Sequence, residues 1–250
     1  MVFGTLYTFP GDHPRTIAIK AVAKANNLEL KICEEPRTAE HLEVSKLGKV
    51  PAFIGEDGFK LFECIAIALY ITSQNEETTL LGNSKKEYAD IVKWMSFFNS
   101  EIIMPIVEEY LALIGIIPYN KESVEKYEMM AQAAINVVEE HLQTNSFLVG
   151  ESVTLADIFC AGIIALGFQF FYGKAWREAN PNVSRWYKTI IHQPIYAAVT
   201  DKFEFLEEPK LTNIAPEKTA PLDLGPGDAA VSATSATSAT LDGRVQELKS

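Results

Sequence analysis

The sequence predicts two domains of different class, an α/β unit over residues 1–75 and an all-helical unit over residues 85–206. Three observations carry this. Short strand and helix signals alternate through the first 75 residues. Beyond Lys85 the strand alternation stops and long 3.6-residue apolar periods replace it. From Glu207 the composition turns to Pro, Ala, Gly, Ser and Thr, with three consecutive Ser-Ala-Thr triplets over Ser232 to Thr240. With 250 residues, 48% of them apolar, the chain has material for one large core or two small ones.

The first element reads as an apolar strand around Thr5 to Thr8, closed by the break at Pro10 to Asp12. In the helix that follows, Pro14 suits a first helical position, where its missing N–H costs nothing, and Ile17, Val22 and Ala25 supply an apolar face. Leu28, Leu30 and Ile32 alternate with Glu29, Lys31 and Cys33, the period of a half-buried strand. A weaker helix covers Thr38 to Lys46. Val50 to Ile54 and Phe59 to Phe62 flank the turn residues Gly55 to Gly58 and predict a hairpin. Cys64 to Ile71 is apolar nearly all round, which predicts a buried helix. The order is βαβαββα, and polar residues 76–84 form the linker.

In the second unit, helices are predicted over Tyr88 to Leu113 and Ser123 to Leu142. Pro105 should kink the first, because proline removes an intrahelical hydrogen bond and crowds the preceding turn. Residues 207–250 bury too little apolar surface to offset their ordering entropy; a disordered tail is expected, with Leu241 to Leu248 only transiently helical.

Twenty-two Lys and Arg against 33 Asp and Glu give a net charge of −11, which argues against direct nucleic-acid binding, since phosphate neutralisation needs a basic face. The start MVFGTLYTFPGD has neither the basic residues nor the apolar run of a signal peptide, and no later stretch reaches about 18 uncharged apolar residues. A cytoplasmic protein without membrane association is expected. Cys33, Cys64 and Cys160 are scattered, with no CxxC and no metal-holding Cys/His spacing, so reduced thiols and no metal are expected. The acidic pairs Glu108-Glu109, Glu139-Glu140 and Glu207-Glu208 read as solvated faces.

Two segments carry candidate chemistry. In Lys49-Val50-Pro51 a proline opens a strand with no N–H to give, which marks a tight, sometimes cis, turn. Such a turn leaves the Val50 main chain free to pair with an extended peptide by strand addition; the alternative is a plain strand start. Glu63-Cys64 lies where the fourth strand meets the apolar helix, placing backbone N–H groups and a carboxylate at a helix N-terminus. That suits a ligand with both a carboxylate and an ammonium group; alternatively Glu63 is a cap favoured by the helix dipole.

Taken in order, Thr5-Leu6-Tyr7, Gly48-Lys49-Val50-Pro51-Ala52-Phe53, Phe62-Glu63-Cys64-Ile65-Ala66-Ile67, Phe147-Leu148-Val149-Gly150-Glu151 and Thr154-Leu155-Ala156-Asp157-Ile158 resemble the landmarks of the glutathione transferase superfamily. The last is a capping box, in which Asp157 returns a bond to the Thr154 N–H. Within the superfamily the chain is most similar to the transferase-like N-terminal region of translation elongation factor 1 gamma, through Gly4 to Thr8, Val50 to Phe53, Val92-Lys93-Trp94, Pro118 to Lys121, Asn180-Pro181 and Arg185-Trp186-Tyr187. The similarity covers residues 4 to 206.

The resemblance implies a thioredoxin-like N-terminal domain that binds glutathione through Lys49, Val50, Pro51, Glu63 and Cys64, and a helical transferase C-terminal domain. Tyr7 falls where some classes carry a catalytic tyrosine, while Thr8 and His13 lie nearer the catalytic serine position of others. Arg15 reads as a solvated side chain near the first helix. The resemblance further implies a homodimer and a scaffold that holds the guanine-nucleotide-exchange subunit of the elongation factor complex; the alternative is an active transferase conjugating glutathione to small electrophiles. A third reading makes Cys64 a redox sensor. Two departures stand out: Cys64 replaces the family's serine and is a weaker donor, and the chain runs into Ser-Ala-Thr repeats where the gamma subunit continues into a second conserved domain.

Overall fold

The computed structural model describes residues 2–216. Its first part comprises β1 (Val2–Tyr7), α1 (Ile17–Ala25), β2 (Glu29–Cys33), α2 (Ala39–Val44), β3 (Ala52–Gly55), β4 (Lys60–Phe62) and α3 (Cys64–Thr72). The sheet has the order β2-β1-β3-β4, with β1 parallel to β2 and antiparallel to β3, and β3 antiparallel to β4. This is the βαβαββα order of a thioredoxin-like domain. Ile32, expected inside by alternation, is 40% exposed because β2 is an edge strand.

The helical part comprises α4 (Lys85–Phe97), a π-helical segment (Phe98–Ile102), α5 (Ile103–Leu113), α6 (Lys121–His141), α7 (Leu155–Phe170), α8 (Lys174–Ala179), α9 (Pro181–Ile191) and α10 (Pro194–Ala197). α7 is the hub, with thirteen of its sixteen residues buried. α1 lies between α3 and α7, so Ile17, Ile19 and Val22 belong to the same apolar core as Ile158 and Phe159. The two domains therefore share a core.

Asp157, fully buried, organises the start of α7. Its carboxylate accepts from the Leu148 N–H (2.9 Å), the Thr154 N–H (2.9 Å), the Thr154 hydroxyl (3.0 Å) and Trp186 Nε1 (2.8 Å). The carboxylate-to-backbone bond of the expected capping box is thus present. The same oxygens also tie in the 147–149 turn and α9.

Three expectations need correction. α1 begins at Ile17, so Pro14 sits in the preceding turn, where the Thr16 and Ile17 N–H groups both donate to the His13 carbonyl. The predicted helix over Tyr88 to Leu113 is interrupted, but the irregularity is the π segment one turn before Pro105. There Ile103 N–H reaches back to the Phe98 carbonyl, and the Ser100 hydroxyl donates to the Ser96 carbonyl. The tail expected from 207 starts ordered: Lys174 N–H donates to the Glu207 carbonyl, Lys210 and Leu211 N–H to the Phe170 carbonyl, and Tyr119 Oη to Asn213 Oδ1 at 2.8 Å. The Ser-Ala-Thr triplets and Leu241 to Leu248 lie outside the described residues.

Replacing Asp157 by Ala leaves two backbone donors and the Trp186 indole without an acceptor in a dry core. The expected loss in unfolding free energy is about 3–5 kcal/mol, measured by urea denaturation; Asp157→Asn, which keeps an acceptor oxygen, should lose less.

Candidate functional site

A cavity of about 360 Å³ opens where the two domains meet. The α/β domain lines it with Phe9, His13 and Arg15 from the β1–α1 loop, with residues 44–51, and with Phe62, Glu63 and Cys64. The helical domain contributes Asn99, Met104, Val107 and Glu108.

The loop from α2 to β3 is held from one side. Arg37 N–H donates to His41 Nδ1 at 2.7 Å, which fixes the proton on Nε2, and Nε2 then donates to the Lys49 carbonyl at 3.1 Å. Lys49 N–H donates to Ser45 Oγ at 2.9 Å, and Gly48 turns the chain at φ 65°, a conformation glycine adopts without penalty. His41 is fully buried, and burial pushes its pKa down, keeping the ring neutral. With the Lys49 main chain engaged, the Val50 N–H and C=O find no hydrogen-bond partner among the described residues. The Val50–Pro51 peptide is cis, and β3 begins at Ala52, after Pro51 rather than at Val50.

Glu63 precedes α3 with φ 74° and ψ 120°, an uncommon conformation for a residue with a side chain. Its carboxylate is exposed and without a hydrogen bond among the described residues. Cys64 is the first residue of α3 and is 2% exposed. Burial pushes its thiol up to about 11 against the opposing pull of Arg15, so the sulfur stays protonated and donates to Asn99 Oδ1 at 3.5 Å. A thiol held that way is a poor nucleophile, which weighs against the sensor reading.

The three expected catalytic residues do not converge. Tyr7 does not line the cavity; it is 2% exposed, its ring stacks on His41 at 5.1 Å between centroids, and its hydroxyl donates to Glu40 Oε2 at 3.1 Å. Burial and that bond push its pKa up to about 12. Thr8, fully buried, donates to Thr16 Oγ1 at 3.1 Å and also stays out of the cavity. Strand alternation explains part of this: β1 places Tyr7 on the face covered by α2, with Val44 and Ala52. His13 does line the cavity, with Nδ1 shut off from solvent and unpartnered, but burial beside Arg15 and Lys20 drives its pKa down to about 3. A ring that neutral is no proton acceptor at pH 7.

Arg15 is where the structure departs most from the solvated reading. Its Nε donates to Asn99 Oδ1 at 2.8 Å and a terminal nitrogen lies 3.6 Å from Met104 Sδ, so the second domain fixes the guanidinium at the cavity wall. Asn99 stands on the π segment, a geometry often found at functional sites. Sequence reasoning passed over it, although an amide one turn and a half before a mid-helix proline was a usable signal. Two acidic pairs are also not plain solvated faces: Glu108 lines the cavity, and Glu139 accepts from the Asn182 and Val183 N–H groups at the start of α9.

His13 gives a pH signature. Its pKa falls from 6.5 unfolded to about 3 folded, so the unfolded chain takes up the proton first as pH drops. The contribution to stability is complete above pH 6.5 and is lost on acidification, by about 2 kcal/mol at pH 5. Equilibrium denaturation of wild type and His13→Asn at pH 7 and pH 5 should show the variant losing less stability over that interval.

Comparison with known proteins agrees with this layout. Residues 3–73 match the glutathione S-transferase N-terminal domain and residues 101–194 the C-terminal domain. The chain is 69% identical over 218 residues to the glutathione S-transferase psoE of Aspergillus fumigatus, covering 87% of this chain and 92% of that one. It is 34% identical over 236 residues to elongation factor 1-gamma of Macaca fascicularis, covering 88% of this chain but only 53% of the factor. The crystal structure of the GST-like domain of elongation factor 1-gamma from Saccharomyces cerevisiae superposes with a TM-score of 0.73 at 31% identity, covering 87% of this chain and all of that domain. A thioredoxin-like sheet sharing its core with a helical domain, two domain matches in the same order and relatives at this identity leave one assignment: the chain belongs to the glutathione S-transferase family.

Proposed function

We propose that the chain binds glutathione in the interdomain cavity and joins it through its sulfur to a small electrophile. The observation that carries the reading is the unpartnered Val50 main chain, on the same cavity as the free Glu63 carboxylate and the N-terminus of α3. An extended tripeptide pairs its cysteinyl main chain with Val50 by strand addition. Its glutamyl ammonium meets Glu63, and its glutamyl carboxylate meets the Cys64 N–H at the positive end of α3. Lys46 and Lys49, which line the same cavity, take the glycyl carboxylate. Pro51, with no N–H, leaves this edge to Val50.

The reaction needs the glutathione sulfur as a thiolate at neutral pH. Arg15 supplies the charge that favours it, because a fixed guanidinium beside the sulfur lowers the thiol pKa. Asn99 is its positioning residue, and Tyr7, Thr8 and His13 have no part in the step. The thiolate attacks the electrophilic carbon, the leaving group departs with the bonding pair, and the thiol proton passes to solvent.

A second reading is favoured by the superposition over the whole GST-like domain of elongation factor 1-gamma. In it the chain holds the guanine-nucleotide-exchange subunit of an elongation factor complex through protein contacts, in the cytoplasm and as a homodimer. The two readings are compatible. Among the described residues no helix is long and apolar enough to cross a membrane. Co-purification with the exchange subunit and sedimentation analysis test this second reading.

Glu63→Ala should weaken glutathione binding by about tenfold or more in titration calorimetry while leaving thermal stability unchanged, since the carboxylate has no partner among the described residues. Arg15→Met should raise the pKa of the bound thiol by about 1–2 units, read from ultraviolet thiolate absorbance, and lower kcat with it. Tyr7→Phe should leave both unchanged. No calorimetric signal at millimolar glutathione would remove the enzymatic reading.

A further inference from the structure

Five charged side chains line the cavity: Arg15, Lys46, Lys49, Glu63 and Glu108. Glutathione in its reactive form presents two carboxylates, one ammonium and a thiolate. The proposed binding mode gives the ammonium to Glu63, the glycyl carboxylate to the lysines, the glutamyl carboxylate to the start of α3 and the thiolate to Arg15. Glu108 is left over.

Its surroundings set it apart from the other four. It stands on α5 with Met104 and Val107, the wall contributed by the helical domain, rather than on the α/β domain that holds the tripeptide. The side chain is half-buried and has no hydrogen bond or ion pair among the described residues. The phenol of Tyr127 on α6 feels its charge, and no basic group among the described residues neutralises it. Met104 and Val107 on the same helix, together with Phe9, give the cavity apolar surface. An unneutralised carboxylate in an apolar wall repels a second carboxylate strongly and rewards a hydrogen-bond donor or a positive charge.

We propose that Glu108 selects the second substrate: an electrophile with an apolar body and no carboxylate, which turns a hydrogen-bond donor or a cationic group toward α5. The proposal rests on the glutathione reading above and names the substrate class of that same site. Transfer to a benzylic bromide illustrates the chemistry. The thiolate sulfur forms a bond to the benzylic carbon as the carbon–bromine bond breaks, bromide leaves with the bonding pair, and the thiol proton has already gone to water.

The test uses a matched pair of probes, 4-(bromomethyl)benzamide and 4-(bromomethyl)benzoate, with the full chain, after division by their uncatalysed rates. Wild type should favour the amide in kcat/KM by about tenfold or more. Glu108→Gln should collapse that ratio toward one, chiefly through a lower KM for the benzoate, and Glu108→Lys should invert it. Calorimetry with glutathione alone runs beside each variant. Undiminished glutathione binding with a ratio that does not respond to either substitution overturns the role of Glu108. Loss of glutathione binding in the wild type itself would overturn the underlying reading, and the present proposal with it. If neither bromide is turned over, the benzamide and benzoate glutathione thioethers are titrated instead, and the affinity ratio must shift in the same direction.

Discussion

The grip of His41 and Ser45 on Lys49 is the constraint on which the site depends. One ring and one hydroxyl hold both the carbonyl and the N–H of a single residue. The next residue along, Val50, is thereby presented to the cavity with its own main-chain groups uncommitted. The grip works only while His41 is neutral, because Nδ1 must accept from Arg37 as Nε2 donates to Lys49. Burial of this α2 side chain against Tyr7 of the sheet enforces that state, so the apolar packing of Tyr7, Val44 and Ala52 serves the site without touching a ligand.

The cavity is a product of both domains. The loop after β1, the loop before β3 and the start of α3 supply groups suited to a charged tripeptide, while the π segment and α5 supply Asn99, Met104, Val107 and Glu108. Asn99 joins the halves: its side-chain oxygen accepts from Arg15 and from the Cys64 thiol at once. A regular α-helix through residues 98–102 would rotate that amide, so the local irregularity and the interdomain contact belong together. The shared core of α1, α3 and α7, anchored by the Asp157 network, keeps the two walls in register.

Much of the fold was legible because its signals are local. The alternation of β and α periods, the apolar α3 and the Thr154–Asp157 box each depend on neighbours within a few residues. The positions of Val50, Glu63 and Cys64 on one cavity were legible for the same reason, through the turn at Pro51 and the strand-to-helix junction. What failed depended on partners far along the chain. Arg15 looked solvated because Asn99 is 84 residues away; Tyr7 looked catalytic because nothing local reveals α2 closing over it. Glu108 and Glu139 looked like solvated acids because only the packing of α5 against the cavity and of α6 against α9 gives them surroundings.

The family membership fixes the architecture, and the arrangement of uncommitted groups around the cavity is what argues for a tripeptide ligand in this particular chain. The most direct measurement is amide hydrogen exchange at Val50, followed residue by residue with and without saturating glutathione. The Val50 N–H should exchange freely in the free protein and become protected in the complex, while the Lys49 N–H, already bonded to Ser45, stays protected in both. A Val50 amide that is slow before glutathione is added, or equally fast after saturation, would contradict the account.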